Sequence, residues 1–154
     1  MTYAREEIAA ALDRYMAAAA HAGMTGDWEP WVNCFTAEVR YVEHFYGTFN
    51  GKDAVRAWIT ETMAPWPVNQ MRWFPWDWWT IDVQQGFVIG QLQNVFTDPG
   101  DGKRYTAANW TRLDYGGAGL FSVEEDVYNP NEFTTVVSEW LAAWKVHHPD
   151  RPNG

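Results

Sequence analysis

The sequence predicts an α+β fold in which helices gather on one side of an antiparallel sheet. Three observations carry this expectation. Apolar residues recur at helical spacing in three segments before Met63, the period changes to two from Met71, and an amphipathic helical stripe returns after Pro130.

The first helix is expected over Ala4–Ala22, where Ile8, Leu12, Tyr15, Met16 and Ala19 share a face while Glu6, Glu7, Asp13 and Arg14 lie largely off it. Gly23–Gly26 breaks it. Asp27 is placed to cap a short second helix, Trp28–Phe35, with Pro30 in its first turn. A strand, Val39–His44, leads into a glycine-bounded turn, Gly47–Gly51, and a third helix, Asp53–Met63, which stops before Pro65-Trp66-Pro67. Met71–Val83 is strand-like and interrupted by Pro75, which marks an edge or a bulge. Strands Gly86–Phe96, Lys103–Tyr115 and Leu120–Tyr128 follow, separated by the turns Asp98–Gly102 and Gly116–Gly119; short turns make successive strands antiparallel neighbours. Pro130 and the Asn129/Glu132 spacing start a last helix that runs to His147, with Phe133, Val137, Trp140, Leu141 and Trp144 as its stripe. One domain spanning residues 1–154 is expected, without repeats or linkers.

Composition narrows the function classes. Of the 154 residues 17% are aromatic and 11 are Trp, more than a core requires, because each indole N–H must also find a partner. Aromatic-lined pockets and subunit interfaces are the usual destinations, with a dry Trp-rich core as the alternative. The net charge of −9, without a basic cluster, argues against nucleic acid and against anionic membrane surfaces. The single Cys34 forbids an intrachain disulfide and paired-cysteine zinc patterns. No HxH, HxxxH or HExxH spacing appears, so no metal is expected. No signal-like or membrane-spanning run is present either, and a cytoplasmic protein is expected.

Candidate site residues come from alternation along the strands. Tyr41 and Glu43 share one face of the strand, while Arg40, Val42 and His44 share the other. One candidate general base, Glu43, is therefore presented to a core; its alternative is a solvated or salt-bridged carboxylate. Tyr15, central on the first helix's apolar face, needs a hydrogen-bond partner, either a backbone carbonyl or a ligand. In Glu124-Glu125-Asp126, alternation turns at least one acid inward or into an interface. Asn94 and Asn109, on neighbouring strands, are placed to bond a ligand or each other.

The order of elements, with its motifs, resembles the nuclear transport factor 2-like (NTF2-like) superfamily and, within it, the SnoaL-like branch of polyketide cyclases and ketosteroid isomerase relatives. The carrying words are Asp13-Arg14-Tyr15-Met16-Ala17-Ala18 followed by Gly26-Asp27-Trp28, the strand Phe35-Thr-Ala-Glu-Val-Arg-Tyr-Val-Glu43, the turn and helix Gly47 to Ala54, and Asn109-Trp-Thr-Arg-Leu-Asp114. The likeness covers about residues 5 to 130. It implies a curved antiparallel sheet wrapped as a cone around an apolar pocket, closed by three N-terminal helices and, here, an extra C-terminal one. By the same resemblance Tyr15 matches a catalytic phenol on the first helix, Glu43 a catalytic aspartate on the first strand, and Asn109 a protonated aspartic acid that donates to an oxyanion.

A carboxylate facing a phenol and an amide in an apolar pocket suits proton abstraction next to a carbonyl, with Tyr15 and Asn109 donating to the enolate oxygen. Isomerisation, dehydration and cyclisation all start from that enolate, and the last two need an additional acid, for which His44, Glu125 and Asp126 are the candidates. The ligand walls are assigned to Trp28, Trp31, Trp58, Trp73, Trp76 and Trp78, with Asn94 and Glu125 as polar contacts. No cofactor is expected; the partners are a small hydrophobic molecule and a second copy in a homodimer. Two further readings use the same fold: a non-catalytic carrier of a small apolar ligand, and a partner subunit covered through the last helix.

Overall fold

The structure, a computed structural model, describes residues 2–154. Helix α1 (Arg5–Thr25) buries Ile8, Ala11, Leu12, Tyr15, Ala18, Ala19 and Ala22, the expected stripe, and ends on Gly26 in the left-handed conformation. Helix α2 (Glu29–Val32) is a single turn with Asp27 Oδ1 accepting from the Glu29 N–H at 3.1 Å. It is shorter than expected, because Phe35 already belongs to strand β1 (Phe35–Glu43). Strand β2 (Gly47–Asn50) pairs antiparallel with β1, so the segment read as a turn is the second arm of a hairpin. Helix α3 (Lys52–Met63) follows, then β3 (Met71–Trp73), β4 (Trp76–Asp82), β5 (Phe87–Phe96), β6 (Thr106–Gly117) and β7 (Leu120–Val127). Helix α4 (Pro130–His147) has the expected limits and is capped by Asn129, whose side chain accepts from the Asn131 N–H.

Among the described residues the fold is α+β, with the layout that the resemblance implies: four helices against a curved, unclosed sheet of seven strands. The order along the sheet is β2-β1-β7-β6-β5-β3, with β4 also paired to β5. The sheet is mixed rather than wholly antiparallel, since β1 runs parallel to β7. Short turns made the later strands antiparallel neighbours; β1 and β7 are joined by about half of the chain, and a connection of that length allows the parallel pairing.

Two register shifts decide which aromatics face inward. Met71 is opposite Phe96 but Trp73 is opposite Val95, and Trp76 is opposite Leu92 but Trp78 is opposite Gln91. Leu92 and Phe96 lie on the inner face of β5, Gln91 and Val95 on the outer. Residues two apart, which a regular strand would keep on one face, are thus divided between both. Gly90 makes the second shift possible: a Cβ there would stand 2.3 Å from the Trp78 carbonyl oxygen and 2.8 Å from the Trp76 ring. Among the described residues, no helix is long and apolar enough to cross a membrane.

Candidate active site

The helices and the inner face of the sheet enclose a cavity of about 420 Å³. Its buried end is built by strand alternation. β1 turns Tyr41 and Glu43 inward, β6 turns Asn109 and Thr111, and β7 turns Glu124 and Asp126. Register aligns them into rows: Tyr41 opposite Glu124, and Glu43 opposite Asp126, which is in turn opposite Thr111. Trp28, Trp31, Trp58 and Trp76 form walls, and Phe133 and Val137 of α4 also line the cavity.

The polar groups fall into three hydrogen-bonded sets. The Tyr15 phenol, delivered by α1, donates to Glu124 Oε1 at 2.8 Å. The Tyr41 phenol donates to Asp126 Oδ2 at 2.5 Å, and Thr111 Oγ1 donates to Asp126 Oδ1 at 2.5 Å. Asn109 Nδ2 donates to Thr111 Oγ1 at 2.8 Å and to Asp126 Oδ1 at 3.2 Å, while Asn109 Oδ1 accepts from Asn94 Nδ2 at 2.7 Å. Glu43, only 4% exposed, anchors the turn after β1: its Oε2 accepts from the N–H groups of Phe45 at 2.9 Å and Tyr46 at 2.5 Å.

Two carboxyls side by side in such a place resist ionisation. Burial, reinforced by the Asp126 charge, holds the Glu124 carboxyl well above the usual range, although the Tyr15 and Tyr41 phenols pull the other way. Burial pushes Asp126 up to about 6, against the hydrogen bonds from Thr111 and Tyr41. Tyr15 and Tyr41 are raised well above their ordinary value, by burial first and then by these carboxylates. Tyr128 is raised by burial and by Glu43 beside it. Glu124 is 2% exposed, and its Oε2 has no hydrogen-bond partner. The indole N–H of Trp58 is likewise buried without one.

Tyr15, Glu43, Asn94, Asn109 and Asp126 therefore meet at one cavity, with Trp28, Trp31, Trp58 and Trp76. His44 and Glu125 do not join them: they pair with each other at 2.8 Å on the outer face, with side chains 52% and 38% exposed. Trp73 and Trp78 are also outside, 42% and 41% exposed, because of the register shifts. Tyr15 and Asn109, expected to hold donors ready for a ligand, direct their hydrogens to Glu124, Thr111 and Asp126. Sequence reasoning missed Tyr41, Thr111 and the choice of Glu124. Their signal was parity, since Tyr41 shares a face with Glu43 and Thr111 with Asn109. Among the described residues, no group of three or more His, Cys, Asp or Glu is placed to hold a metal ion.

The sequence profile of the SnoaL-like domain matches residues 2–116. The chain belongs to the SnoaL-like domain family. Comparison with curated proteins finds no match. Solved structures share the fold at low identity. One named as a SnoaL-like polyketide cyclase, from Jannaschia sp. CCS1, is 13% identical with a TM-score of 0.67, over 90% of this chain and 97% of that one. An LEH-like epoxide hydrolase from M. tuberculosis is 11% identical with a TM-score of 0.65, over 92% and 96%. A protein with a ketosteroid isomerase-like fold from Catenulispora acidiphila, solved with trimethylamine, is 16% identical with a TM-score of 0.63, over 80% and 92%. These likenesses establish the fold of this SnoaL-like domain, and its chemistry has to be argued from the cavity.

Proposed function

We propose that this SnoaL-like domain is a cofactor-independent isomerase, dehydratase or cyclase that removes a proton next to a carbonyl of a hydrophobic, ring-containing substrate. The carrying observation is the pair on one face of β7: Glu124 and Asp126 share one aromatic cavity, but Asp126 accepts three side-chain hydrogen bonds and Glu124 one, which favours ionisation of Asp126 over Glu124. Neighbouring acids driven apart in this way supply an acid and a base at the same pH. Asp126 is the base. Its Oδ1 accepts from Thr111 and Asn109 and its Oδ2 from Tyr41, so of about four acceptor positions one on Oδ2 is left for the substrate proton. As that proton leaves carbon, the electron pair moves onto the carbonyl oxygen. Glu124, kept neutral, donates its Oε2 hydrogen there, and Tyr15, donating to Oε1, positions it. Glu43 faces the same space but is committed to the backbone of Phe45 and Tyr46, which favours a binding role over that of the base.

The test is turnover of a flat enone and of a β-hydroxy ketone by wild type and Asp126→Asn. Loss of activity with the fold retained supports Asp126 as base; undiminished turnover rejects it, and loss on Glu43→Gln alone would return the role to Glu43. One observation favours a non-catalytic carrier instead: Tyr15, Tyr41, Thr111 and Asn109 already direct their hydrogens to protein acceptors. Quenching of Trp fluorescence by apolar ketones without any turnover would select that reading.

We propose the outer face of the sheet as the surface of the expected homodimer. Register sets Trp78, Gln91, Trp110 and Val127 in one row across four strands, and Trp78, Trp110 and Val127 are exposed. Sedimentation of the purified protein tests it directly.

A further inference from the structure

The charge inside the cavity is one-sided. Glu43, Glu124 and Asp126 line it, and among the described residues no Lys, Arg or His does. Glu43 and Asp126 are register partners on adjacent parallel strands, so two carboxyls face the same space side by side. A buried carboxylate without a counter-charge is costly, and proteins ordinarily relieve it with a cation or a proton. The backbone N–H groups of Phe45 and Tyr46 stabilise Glu43 through one oxygen only. Glu124 gives an independent sign that the arrangement is built around a ligand: it is 2% exposed, lines the cavity, and its Oε2 has no partner in the protein.

The walls on the Glu43 side are aromatic. The rings of Tyr41 and Trp58 lie 4.9 Å apart and those of Tyr46 and Trp58 5.9 Å apart, and all three line the cavity with Glu43. Tyr128 lies beside the Glu43 carboxylate. Ring faces attract a cation, most strongly where water is excluded, and they offer nothing to an anion. Carboxylate and rings together select the same ligand charge.

We propose that the cavity takes a ring compound carrying a protonated amine, seated between the Glu43 carboxylate and the faces of Tyr41, Tyr46 and Trp58, and that it rejects carboxylate-bearing analogues. This rests on the reading of the cavity as a ligand site, and it narrows the substrate class to amino ketones. In such a substrate Glu43 holds the ammonium group while Asp126 and Glu124 face the carbonyl end. The high proton affinity of Glu124 and Asp126 agrees with a lining that lacks a cation of its own.

The experiment is calorimetric binding at about 0.15 M salt of three probes with one ring system and different charge: 2-naphthylmethylamine, 2-naphthylmethanol and 2-naphthoate. At that ionic strength, attraction to the exposed acidic surface is largely screened. The expected order is amine, alcohol, carboxylate, with the amine about tenfold tighter than the alcohol. Glu43→Gln removes the preference, bringing the amine to the level of the alcohol in the same variant. Equal or tighter binding of the carboxylate overturns the proposal, as does an amine preference that survives Glu43→Gln or the absence of binding by all three. The wild-type series decides the matter even if the variant does not fold. Binding is read without turnover, so a protein that prefers the amine yet converts no ketone separates failure of the catalytic reading from failure of this one.

Discussion

Three consecutive acids on β7 meet two different fates. Glu124 and Asp126 point into the cavity, receive hydrogens from Tyr15, Tyr41, Thr111 and Asn109, and bind protons more strongly than exposed carboxyls do. Glu125, one residue from each, points the other way and pairs with His44 in contact with solvent. The inner and outer faces of the same strands repeat the contrast elsewhere: Asn109 and Thr111 are buried while Trp110 between them is 51% exposed. Residue type does not set these roles. Position relative to the pleat does, because a shift of one residue exchanges a low-dielectric cavity for water.

The largest expected effect tests that division across a single peptide bond. Asp126→Asn removes the proposed base and is expected to lower turnover about 10³-fold, within the usual range for a general acid or base, while Glu125→Gln leaves it unchanged. Equal losses in both variants would erase the distinction between the faces.

Stability should show the same asymmetry. The folded protein holds the Asp126 proton more tightly than the unfolded chain does. Its contribution is therefore fully present below about pH 4 and is lost as the pH rises through 6. A rise from 3.8 to about 6 corresponds to about 3 kcal/mol. Urea midpoints measured from pH 4 to 7 are expected to fall more steeply for wild type than for Asp126→Asn. Parallel curves would mean that Asp126 is not held in this way.

Much of this architecture was legible. The stripe on α1, the limits of α4 and the period-two strands follow from spacing, and alternation alone put Glu43 and Tyr41 on one face. What escaped had long-range causes. The parallel pairing of β1 with β7 depends on segments far apart in the chain, and so do the rows Tyr41–Glu124 and Glu43–Asp126. Pro75 announced an irregularity, but not that Trp76 would face the cavity and Trp78 the outside. Glu124 could not be distinguished from Glu125 until the register of β7 was known. The donors on Tyr15 and Asn109 were expected at a ligand because their partner acids were not yet in view.

The register shift that separates Trp76 from Trp78 can itself be broken. At Gly90 an added methyl group meets the Trp78 backbone, which cannot yield as a flexible side chain would. Gly90→Ala is expected to cost about 1–3 kcal/mol in urea unfolding, as overpacking does. A cost near zero would show that the close approach does not hold the bulge. On the outer face, Trp110→Lys places a charge in the exposed row and is expected to give monomers in sedimentation while probe binding in the cavity stays within about twofold, since Trp110 lies outside its lining. Loss of probe binding along with the dimer would mean that the two faces are coupled.

The smallest effect belongs to His44. Its imidazole meets Glu125 at 2.8 Å, but both side chains are well exposed, and pairs of this kind contribute about 0–1 kcal/mol. His44→Ala is accordingly expected to move the urea midpoint slightly and to leave turnover and its pH profile where they were. That outcome is informative because the sequence offered His44, beside Glu43 in the chain, as the additional acid for dehydration or cyclisation. The end of β1 turns Glu43 inward and His44 outward, so the nearer neighbour in sequence is the more distant in function. If His44→Ala instead removed dehydration while sparing proton abstraction, the outer pair would be delivering a proton to the cavity and the division between the faces would fail where β1 ends.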